Sequence, residues 1–93
     1  MIIQPVKNSD IEQLGLDSTD GVIIKTLDDN GPAAKAGLRK NDVITKFNGK
    51  KVRETMSFVR MVAATKPHTE VSIEIIRDGN KKTLNVKIGR RMQ

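Results

Sequence analysis

Few side chains in this sequence have the type and spacing that catalysis requires. His68 is the only histidine, and it follows Pro67 in a polar stretch that is typical of an exposed loop rather than of a general base. Ser57 has no Gly-x-Ser-x-Gly context, and the sequence offers no histidine–carboxylate pair to activate its hydroxyl group. We therefore predict no catalytic residue, and we expect that the chain is not an enzyme.

The sequence also lacks the ligand patterns of metal and cofactor sites. Residues 28–31 read Asp-Asp-Asn-Gly, which is similar to the start of a calcium loop, but the alternating acidic ligands and the closing glutamate are missing. No cysteine is present, so disulfides and thiolate metal sites are excluded. We expect a turn at residues 28–31, no metal and no cofactor.

The charge balance is basic, with 17 Lys and Arg against 11 Asp and Glu and a net charge of +6. Such a chain attracts phosphates, anionic membranes or acidic peptides, but the cations lie in short, separated groups that are typical of a solvated surface. Phe47 and Phe58 are the only aromatic residues, which is a poor supply of stacking platforms for single-stranded nucleic acid. We therefore expect no nucleic-acid partner.

The apolar pattern predicts five or six short strands. The first, 2–6, contains Pro5 and is expected at a sheet edge, because proline cannot donate a main-chain hydrogen bond. The apolar run at 21–27 follows a turn at 17–21 and predicts a strand buried on both faces. The other strands are expected at 43–47, around Val52, at 71–75 and at 84–88, with hairpin turns at Asn48-Gly49 and Asp78-Gly79.

Three helices accompany these strands. Ser9-Asp10 is expected to cap a short first helix that ends at Gly15, and a second short helix is expected at 32–36. The long helix is expected from Arg53 to Thr65, with Thr55 as its N-cap. Its residues with helical spacing on one face are Phe58, Val59, Met61, Val62 and Thr65.

These elements predict a single domain of the α+β class. We expect a small, partly open antiparallel β-barrel of five to six strands, capped by one long helix and two short helices. The domain is expected to cover residues 1–90, and residues 91–93 form a polar tail. No apolar run approaches the roughly 18 residues of a membrane-spanning helix.

One stretch identifies a family. Residues 31–44 read GPAAKAGLRKNDVI, and FNGKKV follows at 47–52. This resembles the PDZ domains of bacterial proteases, in which Ser-Pro-Ala-Ala-x-Ala-Gly-Leu-x-x-Gly-Asp-Val-Ile precedes a strand ending in Asn-Gly-x-x-Val. Residues 77–80 are similar to the hairpin of that family, and residues 5–16 are similar to the extra helix of its HtrA/Do-like branch. Asn41 stands in place of the usual glycine, which a left-handed turn position tolerates.

The resemblance implies a peptide-recognition module that tethers substrates to, or regulates, a trypsin-like protease. An apolar C-terminal or extended peptide would add as an antiparallel strand between the edge strand and the long helix. The implied peptide-binding residues are Ile2, Ile3, Gln4, Val6, Phe58, Met61 and Val62. The implied partners are peptides or unfolded protein C-termini and the protease domain of the same parent chain, and self-association stays open.

Two other interpretations stay open at this point. The module can instead come from an intramembrane metalloprotease or a secretion-system component, or it can be a basic adaptor for nucleic acid or lipid headgroups. We expect a periplasmic or cell-envelope location within a longer parent chain, without a signal peptide in residues 1–93. The carboxylate-binding loop of the family would lie immediately before Ile2, so we expect Met1 to be an added start residue and the carboxylate contacts to be incomplete.

Overall fold

The computed structural model describes residues 2–16, 20–28 and 30–87. Six strands and three helices follow one another as β1 (Ile2–Pro5), α1 (Asn8–Leu14), β2 (Val22–Thr26), α2 (Pro32–Lys35), β3 (Val43–Phe47), β4 (Lys50–Lys51), α3 (Thr55–Ala64), β5 (Glu70–Arg77) and β6 (Asn80–Lys87). The expectations for Met1, for residues 17–19 of the first turn, for Ile88 and for the tail at 91–93 lie outside these ranges.

The strands form one antiparallel sheet in the order β1-β2-β3-β5-β6, with β4 paired to β3. Among the described residues the sheet does not close and three helices accompany it, so the predicted α+β fold with a partly open antiparallel sheet is confirmed. Within the described chain, β1 pairs with β2 alone. The expected edge position of the first strand is therefore confirmed.

Two apolar clusters cover the two faces of β2. Val22 and Ile24 belong to the main cluster, together with Phe58 and inward residues of β3, β5 and β6. Ile23 belongs to a second cluster, in which Val6, Leu16 and Val43 are buried and α1 supplies Ile11 and Leu14. The prediction that this strand is buried on both faces is confirmed, because each face carries a separate part of the core.

The predicted turns carry the expected left-handed residues. Asn48 and Gly49 have φ values of 52° and 86°, and Asp78 and Gly79 have φ values of 53° and 80°. Asn41 has a φ of 74°, so this asparagine does occupy a left-handed position. Asparagine and aspartate adopt this conformation more readily than other side chains do, because their short polar groups form local hydrogen bonds.

The predicted helix starts were wrong by one or two residues. The N-cap of α1 is Lys7 and not Ser9-Asp10. The Asp10 carboxylate accepts a hydrogen bond of 2.9 Å from the Lys7 main-chain N–H at the helix start. The N-cap of α3 is Glu54, whose extended backbone precedes the first helical residue, Thr55. Val52 follows β4 rather than lying within it, although its N–H still donates to the Thr45 carbonyl oxygen at 2.9 Å.

A buried ion pair, which we call the Asp42–Arg77 pair, joins the turn before β3 to the end of β5. Arg77 donates from Nε to Asp42 Oδ1 at 2.9 Å and from Nη2 to Oδ2 at 2.6 Å. Its Nη2 also donates to the Gly37 carbonyl oxygen at 2.7 Å, and the Arg39 main-chain N–H donates to Asp42 Oδ2 at 2.8 Å. These hydrogen bonds with Asp42 raise the pKa of Arg77.

Candidate functional site

The free edge of β1 is the first feature of the candidate site. On its inner side, β1 pairs with β2 through Ile3 opposite Ile24 and Gln4 opposite Ile23, with an irregularity between Ile2 and Ile3. No described strand pairs with the other edge. An unpaired edge presents main-chain N–H and C=O groups in the spacing that another extended chain requires.

The β1 residues differ in what they present to solvent. The side chain of Ile2 is 57% exposed, and Gln4 is also exposed. Ile3 is half-buried and packs against the main cluster. Val6 lies beyond the end of β1, and its side chain is buried in the second cluster with Leu16. The structure thus brings Ile2 and Gln4 to the surface but does not bring the Val6 side chain there.

Helix α3 contacts β1 and is anchored by one aromatic residue. Phe58 is only 4% exposed, and its ring lies 5.9 Å from the ring of Phe47 in an edge-to-face arrangement of 84°. Such pairs stabilise by about 0.5–1.5 kcal/mol beyond the burial of their surface. The predicted burial of Phe58 against the sheet is confirmed. Phe58 therefore anchors α3 to the sheet and is not part of the exposed surface.

Met61 and Val62, the other two helix residues of the predicted site, lie on opposite flanks of α3. A helix turns by about 100° per residue, so Met61 lies about 60° to one side of Phe58 and Val62 about 40° to the other. Both are half-buried and pack against the main cluster. Met61 lines a cleft of about 330 Å³ with Asn48 and Lys50 of the β3–β4 hairpin, so its flank faces that hairpin.

Sequence reasoning missed the exposed apolar residues of α3. The Val59 side chain is 48% exposed, and that of Met56 is 55% exposed. The spacing places Val59 on the same face as Phe58, but one residue of helix rotates it by about 100° from Phe58, and its side chain lies outside the buried part of that face. The available signal was spacing: Thr55, Val59 and Val62 lie at i, i+4 and i+7 and form a stripe beside the buried face.

The described residues form no cluster of three or more His, Cys, Asp or Glu side chains that could hold a metal ion. His68 is exposed and lies in a turn with a φ of 67°. None of the helices of the described chain has the length and apolar character needed to cross a membrane.

Comparison with known proteins gives the same region a family context. A family profile described as PDZ domain matches residues 2–88. A probable periplasmic serine endoprotease DegP-like from Pseudomonas fulva (strain 12-X) is 37% identical over 89 residues, and a protein of the same description from Rickettsia prowazekii (strain Madrid E) is 35% identical over 86 residues. These matches cover 96% and 92% of this chain but 19% and 17% of the relatives. The chain thus spans about a fifth of the length of these curated relatives.

Solved structures also match the whole fold. The HtrA-type protease AlgW with decapeptide is similar with a TM-score of 0.86 and 30% identity, over 98% of this chain and 28% of that chain. The HtrA3 PDZ domain bound to a phage-derived ligand is similar with a TM-score of 0.77 over 94% of this chain and 79% of that chain. Its identity of 16% supports a likeness in fold alone.

Proposed function

The chain belongs to the PDZ domain family, and from this premise we propose that it binds extended peptide segments by strand addition to β1. The observation that carries the proposal is the unpaired outer edge of β1 beside α3. Main-chain hydrogen bonds along that edge supply affinity that is largely independent of sequence, and side-chain pockets supply selectivity. The likeness to AlgW, whose structure was solved with a decapeptide, supports this proposal.

The selectivity of the groove is assigned to one flank of α3. The Met61 flank faces the β3–β4 hairpin, so we assign the opposite flank, with Thr55, Val59 and Val62, to the ligand that lies on β1. Val59 is exposed, and Val62 is half-buried, a combination that favours apolar ligand side chains facing the helix. Ile2 adds an exposed apolar surface at the start of the strand.

Three residues of the predicted site, Val6, Phe58 and Met61, have a smaller part in this proposal. The Val6 side chain is buried in the second cluster, so Val6 contributes at most its main chain. Phe58 supports the groove from below, because its ring is buried against Phe47. The predicted contribution of Met61 to this groove is replaced by that of Val59.

We further propose that the domain tethers substrates within a longer periplasmic serine protease. The curated relatives are described as periplasmic serine endoproteases, and the chain corresponds to about a fifth of their length. This favours the serine-protease setting over a metalloprotease or secretion-system setting. We predict that the purified domain hydrolyses neither casein nor a peptide library; turnover that survives repurification and a His68→Ala change would contradict this.

The binding proposal is tested by nuclear magnetic resonance with a ten-residue peptide of alternating Val and Ser that ends in Val. The expected result is a saturable shift of the main-chain amides of β1 and of the Val59 methyl groups. The controls are two versions of this peptide, each with N-methyl groups on one of the two alternate sets of backbone nitrogens. Both keep the side chains, but the version methylated on the nitrogens that face β1 cannot complete a strand ladder. If neither version binds more weakly than the parent peptide, strand addition is wrong.

A pair of variants tests which flank of α3 faces the peptide. Val59→Glu places a charge in the proposed groove and is expected to weaken binding at least tenfold, which corresponds to about 1.4 kcal/mol. Met56→Glu is the matched control, because Met56 is equally exposed on the same helix but lies about 60° further from Phe58 around the helix axis than Val59 does. Equal weakening by both changes would refute the assignment of the groove to the Val59 flank.

A further inference from the structure

A second cleft lies on the other flank of α3. It is lined by Phe47, Asn48, Lys50, Arg60, Met61, Ala64 and Thr65, and we call it the hairpin cleft. Its volume is about 330 Å³. One wall is the second half of α3, and the other wall is the turn between β3 and β4. The hairpin cleft is separate from the proposed peptide groove. Met61 and Val59 lie on opposite sides of Phe58, and the angle between them around the helix axis is about 160°.

Hydrogen bonds hold both walls of the hairpin cleft in place. The Asn48 main-chain N–H donates to the Ser72 carbonyl oxygen at 2.6 Å, which fixes the turn against β5. The Thr65 hydroxyl donates to the Met61 carbonyl oxygen at 2.8 Å, which fixes the end of α3. The ring of Phe47, packed on Phe58, fixes the base. The main chain of both walls is therefore held in place before a ligand binds, which leaves mainly side chains to be ordered on binding.

The charged residues that line the hairpin cleft have one sign. Lys50 and Arg60 are both exposed, and no aspartate or glutamate is among the lining residues. Across the described ranges, neither cation has an ion-pair partner. Cations that have no partner in their own chain complement an acidic ligand, because opposite charge raises the rate of encounter and fixes the orientation of the bound segment. Arg60 can bind a carboxylate through two parallel hydrogen bonds.

Three of the seven residues that line the hairpin cleft are apolar. Met61 is half-buried, Ala64 is exposed, and Phe47 is buried. Methionine is unbranched and adapts its shape to different apolar partners. The chemistry of the ligand follows from the combination: one apolar side chain to enter the cleft, and carboxylates on either side of it to meet Lys50 and Arg60.

We propose that the hairpin cleft is a second docking site, which binds an acidic segment of a partner protein through one inserted apolar side chain. This site is separate from strand addition to β1, because its lining residues lie on the β3–β4 hairpin and on the second half of α3 and its C-cap. The site gives part of the net charge of +6 a role in binding. Strand addition to β1 uses main-chain hydrogen bonds and does not require that charge.

The test uses a defined probe and a methionine reporter. The probe is acetyl-Glu-Asp-Leu-Glu-Asp-amide, and the control is acetyl-Gln-Asn-Leu-Gln-Asn-amide, which keeps the leucine but removes the charges. The domain carries ¹³C in the methyl groups of its 4 methionines, and the Met61 signal is assigned with Met61→Leu. The expected result is a saturable shift of the Met61 signal with the acidic peptide, while the signal of Met56 on the other side of α3 stays unchanged.

Charge variants complete the test. Lys50→Glu and Arg60→Glu are each expected to weaken binding of the acidic peptide at least fivefold, and raising the salt concentration to 1 M is expected to weaken it as well, because screening then acts within about 3 Å. Lys35→Glu is the matched control, because Lys35 is exposed at the end of α2 and does not line the hairpin cleft. Its affinity is expected to stay within twofold of the parent domain.

Three results would overturn the proposal: an unmoved Met61 signal at millimolar acidic peptide, equal binding of the neutral peptide, or equal loss from Lys35→Glu. These results are independent of the peptide groove, which is tested with a different peptide and with the Val59 reporter. If the acidic peptide shifts β1 and Val59 instead of Met61, the hairpin cleft is refuted and the groove is retained.

Discussion

Removing one partner of the Asp42–Arg77 pair is expected to cost more stability than breaking any other polar contact described above. The Asp42 side chain is almost completely buried, and it accepts three hydrogen bonds, two from Arg77 and one from the Arg39 main chain. Arg77→Met keeps most of the apolar stem but removes the guanidinium group. It leaves the Asp42 carboxylate buried with one of its three donors, and the Gly37 carbonyl oxygen loses its donor as well.

The expected cost is about 3 kcal/mol. Breaking one side of a buried ion pair typically costs about 3–5 kcal/mol, and we take the low end because the Arg77 side chain retains 17% exposure. For a domain of this size, 1 kcal/mol lowers the melting temperature by about 4–8 °C, so we expect a fall of roughly 15 °C. Stability is measured by urea unfolding followed by circular dichroism, since the chain has no tryptophan or tyrosine for fluorescence.

Two controls separate the pair from the loss of a surface charge. Arg53→Met removes an exposed arginine that has no ion-pair partner in the described chain, and it is expected to change the free energy of unfolding by less than about 0.5 kcal/mol. The double variant Asp42→Asn with Arg77→Met is expected to lose less than the sum of the single losses, because the two residues share one interaction. A loss from Arg77→Met no larger than that from Arg53→Met, or strict additivity in the double variant, would refute the reasoning.

Four further outcomes follow from the same physical arguments, each measured as the urea midpoint. Phe58→Ala is expected to cost about 3–5 kcal/mol, because it leaves a cavity beside the sheet, and an unchanged midpoint would contradict the buried position of the ring. Asn41→Gly is expected to stabilise by up to about 1 kcal/mol, because glycine adopts the φ of 74° without strain; a loss would mean that the Asn41 side chain stabilises the turn. Gly21→Ala is expected to destabilise far more than Gly79→Ala, since a Cβ at Gly21 would lie 2.7 Å from the Ile44 carbonyl oxygen and a Cβ at Gly79 meets nothing within 4 Å. The raised pKa of Arg77 adds stability that is complete below its unfolded pKa and is lost only as the pH rises through its folded pKa, so the difference between Arg77→Met and the parent domain is expected to stay constant between pH 6 and 9.

The sequence predicted the elements whose signals are local. An apolar run of Val and Ile marks β2 as buried on both faces, and an Asn-Gly pair and an Asp-Gly pair mark the two hairpin turns. Pro5 predicts an edge strand, because a missing N–H cannot serve a central one. Each of these signals depends on the residue itself and its immediate neighbours, so no knowledge of the rest of the chain was needed.

The features that the sequence did not predict depend on tertiary contacts. Asp42 and Arg77 are 35 residues apart, and no local pattern relates them. The α3 pattern spreads apolar residues over more than half of the helix circumference, so spacing alone does not distinguish the core side from either flank. Spacing therefore places Val59 on the same face as Phe58 and groups Met61 with Val62. The position of the β3–β4 hairpin beside Met61 separates them.

The division of α3 into two flanks has a consequence for recognition. Phe58 holds the helix on the sheet, and a ligand on either flank leaves that contact intact. A ligand in one site therefore does not shift α3 at the other site. The two sites also differ in chemistry: one binds an extended backbone with apolar side chains, and the other binds carboxylates around a single apolar side chain.

A substrate that carries both segments gains affinity without a new contact, because binding of the first segment raises the effective concentration of the second. The distance between the two segments of such a substrate is set by the diameter of α3, which is about 10–12 Å with its side chains. A tethering domain that uses both flanks would thus favour unfolded chains with an acidic stretch near an apolar one, and the salt dependence of binding would come from the hairpin cleft alone.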